Sequence, residues 1–456
     1  MREWVRSWVV VPILVSVMAG CLSQQPRASE EGPGDASELP LYEPHVVVAT
    51  LDTGGNLFHP TWTRNETRHP SLYIPGYPPA AASLNLTVTD DFVESVKMSV
   101  PELEKLIAGM HPYWVQGTNI IGTWAHETDQ EPVFDIENGL AGEPGSNSHG
   151  SQASSQIAGL DYSIAPEAFI VIMDRTNQGA TSPSVYGSNA AGLRWAADQP
   201  WIDIIHTNIQ NPVPLANKHT GQIPAPFADG YPEAVFYALS KGKIVVSAGG
   251  NFWAEATETS PHAGPRGVLV AGANDNCGYT DFSNPNPHVV MDGYQTVSAA
   301  PMGFGDGTFG GTSSASPRIS GYVAQLLLEI RRAFNYTGGI EDGALVVLEE
   351  GQAPSSGPLA DGTLTGPELL DVVRKTANPN PHASKFDGGT GICIPQPVDL
   401  PAAFYPKMGY GEVSEHTIGA ALAVSLGQQP MPARPAEDAY FLLSDTLRQV
   451  AWETLP

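Results

Sequence analysis

From His45 onward the chain alternates short apolar runs with stretches of helical spacing, and this alternation limits its fold more than any other feature. His45–Leu51 (HVVVATL), Ala168–Met173 (AFIVIM), Trp201–Ile205, Lys243–Ser247 (KIVVS) and Val268–Ala271 (VLVA) are brief and β-branched, and read as strands. Ser151–Gly159, Gly187–Gln199, Tyr231–Lys241 and Ser314–Phe334 read as helices; the last carries Ile319, Val323, Leu326, Leu327 and Ile330 at helical spacing. Strands that are apolar at consecutive positions and separated by helices must be covered on both faces. The expected class is therefore α/β, a mainly parallel central sheet with helices on both sides. Crossovers should be right-handed, and reactive groups should lie beyond the carboxyl ends of the strands.

A chain of 456 residues with 41% apolar content can bury a large core. With 47 glycines and 41 prolines it also carries long loops. Asp and Glu outnumber Lys and Arg 48 to 22, a net charge of −26, which argues against nucleic acid or an anionic membrane surface as partner. At the N-terminus, Arg2 and Arg6 precede an apolar run from Trp8 to Gly20. That run is shorter than the roughly 20 residues of a membrane span and fits a signal-peptide core. It ends in Met18-Ala19-Gly20-Cys21, which resembles the lipobox of prokaryotic lipoproteins. The expectation is a signal over 1–20, lipidation of Cys21, export to the cell surface or a periplasm-like compartment, and a Pro/Ser/Gly/Glu-rich tether over 21–44. Cys277 and Cys393 are equally consistent with one disulfide and with two buried thiols. Neither CxxC nor HExxH spacing occurs, so no metal site is assigned.

Three segments set a reactive side chain just past a strand or at a helix start. Asp52 follows the first strand in Leu51-Asp52-Thr53-Gly54, His149 opens a helix in Ser148-His149-Gly150-Ser151, and Ser313 lies in Gly310-Gly311-Thr312-Ser313-Ser314-Ala315-Ser316-Pro317. Pro317 suits the first turn of the following helix. Each segment alone has a bland reading: a turn aspartate, a capping histidine, a serine-rich loop. Their joint order, Asp then His then Ser on a parallel α/β sheet, is that of subtilisin, not of chymotrypsin or the α/β-hydrolases. The Gly-x-Ser-x-Gly signal of a lipase or esterase after a strand is not found.

On these residues the chain resembles the subtilisin-like serine peptidases, the subtilases. The matching stretches are VVVATLDTGG with His59 downstream, SHGSQASSQIAG, SIAPEAFIVIMD, KIVVSAGGN and FGGTSSASPRISG. GYGEVSEHTIGAAL from Gly409 resembles the segment that closes the family's domain. The resemblance implies a subtilisin-like fold and a serine endopeptidase of broad specificity acting on peptide or protein substrates. Ser313 would be the nucleophile, His149 the general base and Asp52 the group that orients it. Asn251 would form the oxyanion hole with the Ser313 N–H. An extended substrate would lie against Asn208-Ile209-Gln210, with Ser247-Ala248-Gly249 as the opposite wall and Gln210 standing where the family commonly has glycine. The chemistry would need no cofactor, and the family's structural calcium sites have no assignable ligand spacing here.

The chain departs from the family in several places. Between the expected signal with its cysteine and the catalytic segment only residues 22–44 would intervene, too few for the folding propeptide that subtilases often carry. Asp52 and His149 stand 97 positions apart, which implies an insertion at about 60–140 with a helix-like Pro101–Met110. Gln152-Ala153 replaces the usual His-Val, with altered packing as the expected effect. The catalytic domain is expected over 45–427, followed by a proline-rich linker and an amphipathic helix at Ala436–Glu453 within 428–456. The rival reading is a catalytically weak or inactive subtilase-like surface binding protein that uses the inserted loops.

Overall fold

In the computed structural model the central strands send alternate side chains into two separate cores. The structure describes residues 42–105, 112–125, 148–174, 184–208, 213–214, 230–251, 258–259, 267–275, 278–280, 282–284, 287–379, 384–387, 392–395 and 408–433. Residues 1–41 with Cys21, together with Ile209, Gln210, Cys277 and the expected helix at 436–453, lie outside the described residues.

The central strands are β1 Val47–Asp52, β2 Ile120–Ala125, β3 Phe169–Asp174, β4 Ile204–Thr207, β5 Ile244–Ala248, β6 Leu269–Asp275, β7 Gly278–Thr280 and β8 Val289–Asp292. A hairpin follows, β9 Thr296–Ala299 with β10 Asp306–Phe309, and later β11 Ser384–Asp387 and β12 Ile392–Pro395. In space the order runs β2-β3-β1-β4-β5-β6, with β8 also beside β6, and every one of these pairs is parallel. β7 joins β6 antiparallel and extends the sheet through β11 and β12. The chain leaves β1 for the edge strand β2, returns to β3 beside β1, and then crosses to β4 on the other side. The order therefore reverses at β1, so a crevice opens at its carboxyl end, where Asp52 sits.

The helices are α1 Phe92–Leu103, α2 Ser148–Ala158, α3 Ser184–Asp198, α4 Tyr231–Ser240, α5 Thr312–Phe334, α6 Gly366–Thr376 and α7 Glu415–Ser425. Side-chain period two divides the strands between them. Val48, Ile170, Ile172, Ile204 and Val246 pack with Ile157 of α2 and Ile319, Val323 and Leu326 of α5. Val47, Ala49, Leu51, Val171 and Val245 pack with Leu193 of α3 and Val235 of α4. Both faces are covered, as the continuous apolar runs require. The segment from Gly409 forms α7, which packs against α5 and α6.

Two local expectations are corrected. The run Trp201–Ile205 is a strand only from Ile204. Trp201 and Ile202 are fully buried ahead of it in a turn closed by Ile202 N–H to Gln199 O, so apolarity there reports burial, not pairing, whereas the Asp203 backbone bonds Val47 O and the Ile244 N–H. Asp203 forms a buried ion pair with Arg331 of α5 (2.7 Å) and accepts the Val47 N–H at 2.9 Å. The helix expected over Pro101–Met110 is instead α1, Phe92–Leu103, and residues 106–111 lie outside the described ones. Asp91 starts it by accepting the Glu94 N–H at 3.0 Å, and Pro101 falls in the last turn, where it lacks the N–H that would bond the carbonyl four residues earlier. The described part of the insertion is built into the fold: Trp62, Leu84, Val96, Leu103 and Tyr113 join the core beneath α2 and α5, and β2 is its edge strand.

Candidate active site

Asp52 is the last residue of β1 and is 1% exposed. His149 is the second residue of α2, with its Nδ1 2.8 Å from Asp52 Oδ1 and 2.9 Å from Oδ2. A carboxylate only accepts, so Nδ1 carries the hydrogen and Nε2 keeps the lone pair that can take a proton. The same carboxylate accepts the Thr53 N–H at 2.8 Å, which fixes its orientation. The start of α2 is pressed onto the turn after β1: Gly150 N–H donates to Thr53 Oγ1 at 2.9 Å, and a Cβ on Gly150 would lie 2.1 Å from Gly54 O. Only glycine fits there. The imidazole meets the Phe309 ring edge-on at 5.0 Å and remains partly open to solvent.

Ser313 is the second residue of α5, 7% exposed, at the helix end where aligned peptide dipoles leave partial positive charge. Gly311 caps that end with φ 85° and ψ −175° and donates its N–H to Gly293 O at 2.7 Å. Pro317 is not in the first turn, as the sequence suggests, because the helix already begins at Thr312; it is the sixth residue. α2 and α5 pack against each other. Gln156, two turns beyond His149 on α2, accepts from Ser314 Oγ at 3.0 Å and donates to Thr296 Oγ1 at 2.5 Å. The helix of His149 and the helix of Ser313 are thus tied side chain to side chain.

Asn251 stands beside the start of α5. Its Oδ1 accepts the Thr312 N–H at 2.8 Å and the Thr312 hydroxyl at 3.0 Å. A backbone N–H can only donate, so the carboxamide has one possible orientation, with Nδ2 as its free-facing donor side. A Cβ on Gly311 would come within 2.6 Å of that Nδ2. Beside Asn251 a cavity of about 450 Å³ is lined by Phe282, Tyr294, Gln295, Thr308 and Phe309. Gln295 holds φ 49°, a left-handed backbone for a non-glycine residue.

The expected substrate walls are placed less simply. Gly249 donates its N–H to Ala271 O at 2.8 Å and its carbonyl accepts from Asn284 Nδ2 at 3.1 Å. Both of its backbone hydrogen-bonding groups therefore have partners within the chain. Ser247 is fully buried, with its hydroxyl 3.4 Å from Thr207 Oγ1. Asn208 sends its side chain into the start of α5, where Nδ2 donates to Ser313 O at 2.7 Å and Oδ1 accepts from Ser316 Oγ at 2.9 Å.

Sequence reasoning passed over Gln156, Thr53 and His206. Nothing marks Gln156 except its spacing of seven from His149, which puts both on one helix face. His206 of β4 is fully buried and bonds Ser320 of α5 at 3.0 Å; burial pushes its pKa down to about 3, so it is neutral at neutral pH. Among the described residues no group of three or more His, Cys, Asp or Glu side chains could hold a metal, and no helix is long and apolar enough to cross a membrane.

A parallel α/β sheet that reverses its order at β1, with an Asp–His pair at that strand's end and a serine heading an adjacent helix, is the architecture the resemblance implies. The chain belongs to the subtilase family, whose model matches residues 43–337. It is 29% identical over 181 residues to subtilisin-like protease 5 of Arthroderma benhamiae, a match covering 39% of this chain and 43% of that protein. It is 27% identical over 240 residues to subtilisin-like protease 1 of Trichophyton equinum, covering 51% and 43%. The chain thus spans less than half the length of these curated relatives. Among solved structures, the epidermin leader peptide processing serine protease of Staphylococcus aureus aligns with a TM-score of 0.46 at 15% identity, covering 85% of this chain and 77% of that one. The patellamide maturation protease PatA aligns with a TM-score of 0.46 at 18% identity, covering 85% and 99%.

Proposed function

We propose that the protein is a serine endopeptidase whose chemistry is carried by Asp52, His149 and Ser313. The observation that supports this most directly is the buried carboxylate of Asp52 on His149 Nδ1, which leaves Nε2 as a base. Ser313 Oγ attacks the peptide carbonyl while His149 Nε2 takes its proton. Collapse of the tetrahedral intermediate breaks the C–N bond, the imidazolium gives that proton to the leaving amine, and water then hydrolyses the acyl-enzyme by the same route. Asn251 Nδ2 and the Ser313 N–H receive the oxyanion, in keeping with the carboxamide orientation that Thr312 imposes. Specificity is broad, because recognition of an extended backbone needs little side-chain matching.

A fluorophosphonate probe tests the reading. Wild-type protein becomes covalently labelled with loss of fluoride, and Ser313→Ala abolishes labelling without changing the thermal unfolding transition. Folded wild-type protein that resists the probe would instead favour the surface-binding reading. The N-terminal sequence supports export with a lipid at Cys21; incorporation of labelled fatty acid that Cys21→Ala does not reduce would refute this.

A further inference from the structure

The helix that carries Ser313 has a proline at the position that should serve the nucleophile's own carbonyl. In an α-helix the N–H of one residue donates to the carbonyl four residues earlier. The residue four after Ser313 is Pro317, which has no N–H, yet α5 runs unbroken from Thr312 to Phe334. The helical donor to Ser313 O is therefore missing in the turn whose geometry matters most.

Asn208 stands in that place. Its Nδ2 donates to Ser313 O at 2.7 Å, and its Oδ1 accepts the Ser316 hydroxyl at 2.9 Å. With one end bound to an acceptor and the other to a donor, the carboxamide has a single orientation, and it is held there with 2% exposure. Asn208 directly follows β4, and β4 pairs in register with β1, Leu51 opposite Thr207. The position of Ser313 is thereby referred to the strand that ends in Asp52.

We propose that Asn208 is a positioning residue: its carboxamide replaces the helical hydrogen bond that Pro317 removes and holds the Ser313 turn in register with Asp52 and His149. This rests on the peptidase reading above and reassigns the Asn208 side chain from the substrate wall to the nucleophile. A substrate contact would change KM, whereas a positioning contact changes kcat and the rate of probe labelling.

The test is a double-mutant cycle on the full chain. Asn208→Ala lowers the fluorophosphonate labelling rate and kcat by about 10²-fold, the scale of a misplaced reacting group, with KM little changed. Adding Pro317→Ala restores an N–H four residues after Ser313, and the double variant recovers most of that loss. Asn208→Ser, a smaller change that keeps a polar group of shorter reach, is the second variant should Asn208→Ala fail to fold; it shows the same kcat loss and the same rescue. Labelling of the Asn208 variants at the wild-type rate, a loss confined to KM, or a loss that Pro317→Ala does not relieve overturns the positioning role while leaving the peptidase reading intact. Folded wild-type protein that does not label overturns the peptidase reading, and this one with it.

Discussion

Both carboxylate oxygens of Asp52 lie within hydrogen-bonding distance of His149 Nδ1, at 2.8 and 2.9 Å. The ring cannot rotate without losing both contacts, and the carboxylate cannot follow because it also holds the Thr53 N–H. One strand end thus sets tautomer and ring direction together.

Asp52→Asn is expected to keep the shape and lose the tautomer, since the amide can donate to Nδ1 and drive the hydrogen to Nε2. Steady-state kinetics on a peptide substrate should show kcat lower by about 10⁴-fold with KM within a small factor. A loss of less than tenfold would remove Asp52 from the mechanism.

Asn251 separates two functions within one side chain. Asn251→Asp keeps an acceptor for the Thr312 N–H but replaces the donor, so turnover should fall by at least about 10²–10³-fold while the melting temperature changes little. Asn251→Ala should lose turnover and also destabilise by about 1–3 kcal/mol, because Thr312 N–H loses its partner. Paired kinetic and calorimetric measurements check the contrast.

Gly150→Ala places a methyl group 2.1 Å from the Gly54 carbonyl oxygen, and both partners are backbone. Helix α2 must shift away from β1 and carry His149 with it. Labelling should be lost even in the fraction that remains folded; a variant labelling at the wild-type rate would contradict this packing.

Asp203 and Arg331 are fully buried and paired at 2.7 Å, far along α5 from Ser313. Removing either partner leaves a buried charge uncompensated, so Asp203→Ala or Arg331→Met should cost about 3–5 kcal/mol in denaturant unfolding. The folded fraction should label normally at low temperature.

Stability should fall on mild acidification because two histidines are buried in their neutral form. Burial, helped by Arg331, lowers His45 to about 4, and burial lowers His206 to about 3, against 6.5 for each in the unfolded chain. Below pH 6.5 the unfolded chain takes up protons that the folded one refuses, so unfolding is favoured progressively until pH reaches about 4 and 3. Lys243, lowered by burial from 10.5 to about 8, acts in the same sense at the alkaline end, and stability gained from it rises with pH between those values. Melting temperature against pH reads both windows, and His206→Asn should flatten the acid limb.

How much of this was legible in the chain differs by feature. The strands HVVVATL, AFIVIM, KIVVS and VLVA are visible because burial on both faces leaves no room for polar residues, and that same pattern dictates the parallel class. Asp52, His149 and Ser313 are visible because glycines and small residues crowd around them, which reflects close backbone approaches such as Gly150 on Gly54. Element ends were less legible: Trp201 and Ile202 are apolar but lie in a turn ahead of the strand, and the start of α1 is set by Asp91, not by Pro101.

The periodicities, the order of the reactive residues and the absence of an N–H at Pro317 can all be read from the chain, since each is a property of local composition or covalent structure. That Asn208 Nδ2 meets the Ser313 carbonyl, that Gln156 ties the two helices and that Thr312 turns Asn251 are properties of the folded chain. Those contacts join residues far apart in the chain, and a polar side chain's partner is chosen by the packing around it, which no local pattern records.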